Sequence, residues 1–551
     1  MDVENLLGQM TLQEKVGQLF LLAFEKDRLD EARVLFERHF VGASYLSNDN
    51  LPSPEAAAAL TAQLQGYAAN TRLAVPLLLG CDQEGAWGVM ARGSIPGPGN
   101  MALGATGDPD QAFRMYRVIG EEMRHAGLNT LLAPCADCNS NPHNAIIGMR
   151  SFGEKPEAVA AMTAAAVRGA HAGGVFATVK HFPGHGDTTE DSHRGIPAVR
   201  RTREALFDID LKPFAEGIRA GADIVMTAHI LFPALDPEHP ATLSRAIMTD
   251  LLRGEWGFDG VILTDSMNMK AITRFYAAAD AAVRALNAGV DMIMLAEEHY
   301  GHDAVRYLEH QTGLISAVVR AVEQGDLPVE RLDDSVRRVL RLKAKLNAAL
   351  PADAPGSAAH RAVALDVSRR AVAVLRSAPD ALPLTPSVPV VLVNTTQRSA
   401  YDILTATRGI GPSQEVPAFD LFAGAVCARA EDVTVVSARS VLHNEFDAAA
   451  ALAEGARLVA VTENYPLPGI DFDKSSQREV IERLLAAAGD RLIVVALRDP
   501  YELADLPNVA TYVCAFSFRP QAAQAAGDVL FGVVEARGVS PVSVPDSGIH
   551  A

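Results

Sequence analysis

The chain has little cysteine, no long apolar run and a shortage of positive charge. Five cysteines in 551 residues do not make a disulfide framework, so a reducing compartment fits. No apolar stretch approaches the roughly 20 residues that a membrane span requires. A net charge of −18 argues against nucleic acid or an anionic membrane as partner. The start, Met1-Asp2-Val3-Glu4-Asn5, has no basic segment ahead of an apolar run, so no secretory signal is expected and a cytoplasmic location is. Cys135 and Cys138 form a C-x-x-C, but no second pair follows at zinc-ribbon spacing; they read as ordinary thiols near a strand end. No internal repeat or low-complexity segment stands out beyond Ala-rich helices such as 55–69.

What is present is the composition of a globular enzyme, 49% hydrophobic and 21% charged, in a chain long enough for two or three domains. Thr11-Leu12-Gln13-Glu14 is a capping box, and Val16, Leu19, Phe20 and Ala23 give the apolar stripe of the helix it starts. Strand-like runs follow at 41–46, 75–81, 129–134, 175–180, 224–228, 260–265 and 290–295, with helical stretches between them such as 110–126, 155–172, 206–220 and 267–287. Alternation of this kind predicts a parallel sheet, open or closed. Asp82-Gln83-Glu84, the span from Asp137 to Arg150, Lys180-His181, Met226 with His229, and Asp265 each fall at or just after a different strand end. Only a barrel turns all those ends to one rim, so a (β/α)8 TIM-type barrel is expected over 1–346. A linker is expected at 347–360. A smaller α/β sandwich follows over 361–551, with runs at 390–394, 433–436, 458–462, 492–497 and 510–516. It carries no comparable knot of ionisable residues and reads as structural.

The densest chemistry lies in Lys180-His181-Phe182-Pro183-Gly184-His185-Gly186-Asp187-Thr188-Thr189-Glu190-Asp191-Ser192-His193. Pro183, Gly184 and Gly186 end the strand, so the polar residues occupy a loop. A solvated loop gains nothing by clustering histidines. Two chemical readings remain: a metal cage from His181, His185, Asp187, Asp191 and His193, or an oriented acid/base pair of Asp191 and His193. Asp265 ends a buried run, where a carboxylate either caps the next helix or is used chemically. One ionised carboxylate opposite a separate proton donor is what glycoside cleavage with retention requires. Asp82, Arg150, Lys180 and His181 would then grip sugar hydroxyls.

The segment 180–186 followed by Asp191-Ser192-His193 resembles the signature of family 3 glycoside hydrolases of the β-N-acetylglucosaminidase branch. Asp82-Gln83-Glu84-Gly85, Asn141-Pro142-His143-Asn144 with Arg150-Ser151-Phe152, Met226-Thr227-Ala228-His229 and 264–270 resemble family segments in family order. Arg498-Asp499-Pro500-Tyr501 and Val529-Leu530-Phe531-Gly532 look like its C-terminal sandwich domain. The resemblance implies Asp265 as nucleophile, His193 with Asp191 as acid/base dyad, and Asp82, Arg150, Lys180, His181 and Met226 as substrate-binding positions. It implies no metal and no cofactor, and a small carbohydrate as the only partner. One segment departs from the family. Where many members carry Gly-Gly-Arg-Val, this chain has Gly85-Ala86-Trp87-Gly88-Val89, so that arginine is either replaced by Arg92 or absent.

The expected activity is that of a retaining exo-β-N-acetylglucosaminidase acting on muropeptides or chitin-like fragments, in cell-wall recycling. A phosphorylase releasing GlcNAc-1-phosphate and a catalytically silent sugar-binding protein are the alternatives. Oligomeric state is not legible.

Overall fold

The computed structural model describes the chain outside residues 1, 26–27, 86–90, 145, 189–195, 297–303, 347–352, 397–413, 415 and 464–473. Eight parallel strands close a barrel. They are β1 (Phe20–Leu22), β2 (Ala43–Tyr45), β3 (Leu78–Cys81), β4 (Thr130–Leu131), β5 (Phe176–Phe182) and β6 (Ile224–Thr227). A short antiparallel hairpin, β7 (Leu231–Phe232) with β8 (Asp236–Pro240), precedes β9 (Val261–Ser266) and β10 (Met292–Leu295). Barrel neighbours follow chain order, and β10 returns to β1 through Phe20↔Ile293 and Leu22↔Leu295. Strands buried on both faces read as continuous apolar runs, as Val261-Ile262-Leu263 and Met292-Ile293-Met294 do.

The start of the chain differs from the sequence expectation. The Thr11 capping box forms, and Glu14 reaches back to the Thr11 N–H at 2.8 Å, a motif worth about 1 kcal/mol. The helix nevertheless ends at Gly17. Phe20, placed in its stripe, instead opens β1, which is wedged between β10 and β2. A strand of three residues has too few positions to show a period of its own. Two further helices are divided: 206–220 becomes a π-turn (Leu206–Asp210) followed by the helix Lys212–Arg219, and 267–287 becomes Lys270–Thr273 and Ala278–Ala288.

A second sheet has the order β11-β16-β15-β14-β12-β13, made of β11 (Ala373–Arg376), β12 (Val390–Asn394), β13 (Val433–Ser437), β14 (Arg457–Thr462), β15 (Leu492–Ala496) and β16 (Thr511–Cys514). Only β11 runs antiparallel. It escaped the sequence reading because it follows the helix Ala358–Ala371 after a single residue, Val372.

Of the expected linker, 347–352 lie outside the described residues. Ser357 already caps the helix Ala358–Ala371, and His360 in its first turn is buried. The two units are packed together. Met101, Ala102, Ala105 and Met149, which precede β5 in the chain, belong to the apolar core of the second sheet. No helix among the described residues is long and apolar enough to cross a membrane.

Candidate active site

The C-terminal ends of β3, β4, β5 and β9 bring charged side chains to one rim. After β3, Asp82 is partly exposed and Glu84 is buried. Lys180, inside β5, donates to Asp82 Oδ1 at 2.5 Å and lies 2.7 Å from Glu84 Oε1. Arg150 grips Glu84 with two parallel bonds, Nε to Oε2 at 2.8 Å and Nη2 to Oε1 at 2.9 Å, the planar geometry that guanidinium and carboxylate share. Burial alone would push the Glu84 carboxyl up, but Arg150 and Lys180 hold it well below the usual range. Burial would likewise lower the Lys180 ammonium, and Asp82 with Glu84 raises it instead. Two anions and two cations therefore neutralise each other where water is scarce. Tyr45 Oη donates to Asp82 Oδ2 at 3.1 Å.

Asp137 orients His181. The imidazole Nδ1 lies 2.8 Å from Asp137 Oδ2, and Nε2 lies 3.2 Å from Arg150 Nη2. Guanidinium has no acceptor, so Nε2 presents its lone pair to Arg150 and Nδ1–H points at Asp137. The Asp137 carboxylate also accepts the His185 N–H at 2.7 Å and the Cys135 thiol at 3.1 Å. Gly186 is required there, because a Cβ would stand 1.6 Å from the Cys138 carbonyl oxygen.

Asp265 stands at the end of β9 and is half-buried. Its Oδ1 accepts the Ser266 N–H at 2.7 Å. Among the described residues Oδ2 has no hydrogen-bond donor. Burial pushes this carboxyl up, but His181, His229, the Ser266 N–H and Lys180 more than offset it, so it is held below its ordinary value. The imidazoles act on it when protonated; the N–H and the ammonium act throughout the neutral range. His229 is buried, and its Nε2 donates to the Ser266 carbonyl at 3.0 Å while Nδ1 faces Thr242 Oγ1 at 2.8 Å. Burial lowers its pKa, so it fixes the backbone beside Asp265 as a neutral ring.

Asp82, Arg150, Lys180 and His181 thus form one network, with Asp265 within reach of its charge. Met226 is buried in β6, paired with Leu263 of β9, so it belongs to the barrel wall beside Asp265. Arg92 is exposed, with its backbone N–H on the Leu51 carbonyl. Asp191, His193 and Trp87 lie outside the described residues. Among the described residues on either side of the first two, Arg201 bonds Asp187 Oδ1 at 2.9 Å and Ser140 Oγ at 2.6 Å. The sequence reading placed Glu84 and Asp137 at strand ends without giving them a role, and it did not single out Tyr45. Glu84 and Asp137 had a signal, each being a carboxylate within a few residues of a strand end; Tyr45 had none.

The donor set does not suit a metal. Cys135, Asp137 and His181 place ligand atoms within 4.8 Å of one another, but the thiol and the Nδ1–H both donate to Asp137. Burial pushes the Cys135 thiol far above its usual range, away from the thiolate that binds metals. The described members of the alternative cage also point elsewhere: His181 to Asp137, His185 to Thr188 at 2.9 Å and Asp187 to Arg201.

Residues 11–342 match the model of the glycosyl hydrolase family 3 N-terminal domain. The β-N-acetylglucosaminidase of that family from Paenibacillus sp. FPU-7 superposes with a TM-score of 0.84 at 35% identity, covering 97% of this chain and 99% of that one. Beta-hexosaminidase A of Pseudoalteromonas piscicida is 35% identical over 372 residues, 63% of this chain and 61% of that protein. The beta-N-acetylglucosaminidase/beta-glucosidase of Cellulomonas fimi is 28% identical over 98% of this chain and 95% of its own length. The chain belongs to glycosyl hydrolase family 3, and its class is that of a glycoside hydrolase.

Proposed function

We propose that the protein is a retaining exo-β-N-acetylglucosaminidase that removes terminal GlcNAc from muropeptides or chitin-like oligosaccharides, with its chemistry confined to residues 1–346 and the unit at 361–551 packed against them. The observation that carries this reading is Asp265, an ionised carboxylate with one oxygen open among the described residues, beside a neutralised Asp82–Glu84–Lys180–Arg150 network suited to sugar hydroxyls. Asp265 Oδ2 attacks the anomeric carbon and the glycosidic C–O bond breaks. His193, oriented by Asp191, gives its proton to the leaving oxygen. The same imidazole then takes a proton from water, which attacks the glycosyl ester, releases Asp265 and restores the original configuration. The names of the relatives support the sugar, and a cytoplasmic location is part of the same proposal.

An aryl N-acetyl-β-glucosaminide assay with and without phosphate tests it. Free GlcNAc released with retained configuration is expected, and mass spectrometry of a trapped intermediate should place the sugar on Asp265. Inverted product, or GlcNAc-1-phosphate as main product at millimolar phosphate, would overturn it.

A further inference from the structure

The C-terminal ends of β15 and β16 in the second sheet abut the barrel rim at the loops that follow β3 and β4. That edge of an open α/β sheet is where such folds usually bind ligands; here it binds the barrel. Arg519, just beyond β16, is buried and donates through Nε to the Gly85 carbonyl at 2.8 Å. Gly85 directly follows Glu84. Its φ of +83° and the 2.6 Å that a Cβ would have to the Gly99 nitrogen reserve the position for glycine, and its carbonyl is taken by Arg519. Arg498, just beyond β15, is also buried and sets Nε and Nη2 at 3.2 and 2.7 Å from the Met149 sulfur. Met149 directly precedes Arg150. The Phe518 ring lies against both guanidinium groups, 5.6 Å from Arg498 Cζ and 5.2 Å from Arg519 Cζ. Tyr501 Oη completes the seam by accepting from Asn139 Nδ2 at 2.6 Å, two residues after Asp137.

We infer that the second domain is a positioning element for substrate binding, with Arg519 and Arg498 holding in register the two rim loops that present Glu84 and Arg150. The inference rests on the reading of the Asp82–Glu84–Lys180–Arg150 network as the sugar grip. The Glu84–Arg150 pair bridges those two loops, and each loop is gripped one residue away from the pair by a side chain from the neighbouring ends of β15 and β16. A buried guanidinium on a backbone carbonyl resists displacement, because moving away leaves that buried carbonyl without its donor. Displacement of the pair by even ~1 Å is the scale at which ligand positioning loses about two orders of magnitude. Neither arginine touches the sugar. They act through Gly85 and Met149.

Steady-state kinetics of Arg519→Ala and Arg498→Ala in the full chain test this, with Arg369→Ala as control. Arg369 pairs with Asp528 at 2.8 Å within the second domain. Both rim variants should raise KM for the aryl glycoside roughly 10–100-fold, with kcat changed less, and Arg519→Lys should recover part of the loss. The control should lower Tm without moving KM. A KM within twofold of wild type in a folded Arg519→Ala protein, or an equal KM rise in Arg369→Ala, would overturn the inference. If Arg519→Ala does not fold, Tyr501→Phe carries the test; a several-fold KM rise supports the seam and an unchanged KM overturns it. Asp82→Asn in the same assay separates the two levels. If it leaves KM unchanged, the sugar-grip reading fails; if it raises KM while the rim variants do not, only the positioning role fails.

Discussion

Two aspartates at opposite ends of the barrel sit in different surroundings and do different things. Asp291, just before β10 at the floor, is fully buried. It accepts from the Ile262 N–H at 2.9 Å, Ser335 Oγ at 3.0 Å, Arg331 at 3.2 Å and Arg253. Every lone pair is spent, and strands, floor helices and the final barrel helix are tied to one point. Asp265, at the rim, accepts from one backbone N–H and, among the described residues, keeps Oδ2 open. Its surrounding charges act across space rather than through bonds. Both carboxylates lie near cationic side chains, so charge alone does not separate structure from chemistry. Unspent hydrogen-bonding capacity does.

Exchanging the charge at either end should break the comparison most visibly. Asp265→Asn should lower kcat by roughly 10³-fold or more, as expected for a lost nucleophile, with Tm at or above wild type. Asp291→Asn should leave Arg253, Arg331 and Arg338, the last 3.6 Å away, facing a neutral amide, cost about 3–5 kcal/mol of stability and spare kcat well below its Tm. Calorimetry and initial rates on the two proteins decide it, and a Tm loss in Asp265→Asn equal to that in Asp291→Asn would erase the distinction.

Glu84 lies between the two cases, since it is as buried as Asp291 but belongs to the rim. Glu84→Gln should do both kinds of damage, with a KM rise of about 10²-fold and a destabilisation of a few kcal/mol from the uncompensated Arg150 and Lys180. Intact stability with raised KM would mean that the network relaxes around the amide.

Asp137 acts on His181 rather than on substrate. Asp137→Asn keeps the shape but offers Nδ1 a donor or a weaker acceptor, so kcat/KM should fall about 10–100-fold. Its pH profile should shift, whereas a purely packing role would change Tm alone.

The smallest effect concerns the join between the two units. His360 is held by Glu122 Oε1 at 2.6 Å and Glu121 Oε2 at 3.0 Å, with Asp353 nearby and Arg117 paired to Glu121. The Glu122 hydrogen bond is the leading cause that raises the imidazole pKa, against burial. The clamp is therefore complete below the unfolded value of about 6.5 and is lost as pH rises through the higher folded value. Tm of wild type should exceed that of His360→Gln at pH 5.5, by about 1–2 kcal/mol of stability, and the gap should narrow toward pH 9. A gap that widened with pH would reverse the assignment.

The sequence by itself determined the strand–helix alternation, the loop that Pro183 and Gly186 force after β5, and the placement of Asp82, Lys180, His181 and Asp265 at strand ends. These are local properties, written in runs of a few residues. The tertiary structure decided what depends on chain return. β1 is a strand because β10 and β2 flank it, and nothing in Phe20–Leu22 alone distinguishes it from the end of a helix. Glu84 and Asp137 acquired their roles from Arg150 and His181, dozens of residues away. Arg498 and Arg519 met Met149 and Gly85 across more than three hundred. A buried charge is tolerated only where a partner arrives from elsewhere in the chain, and no local pattern records that arrival.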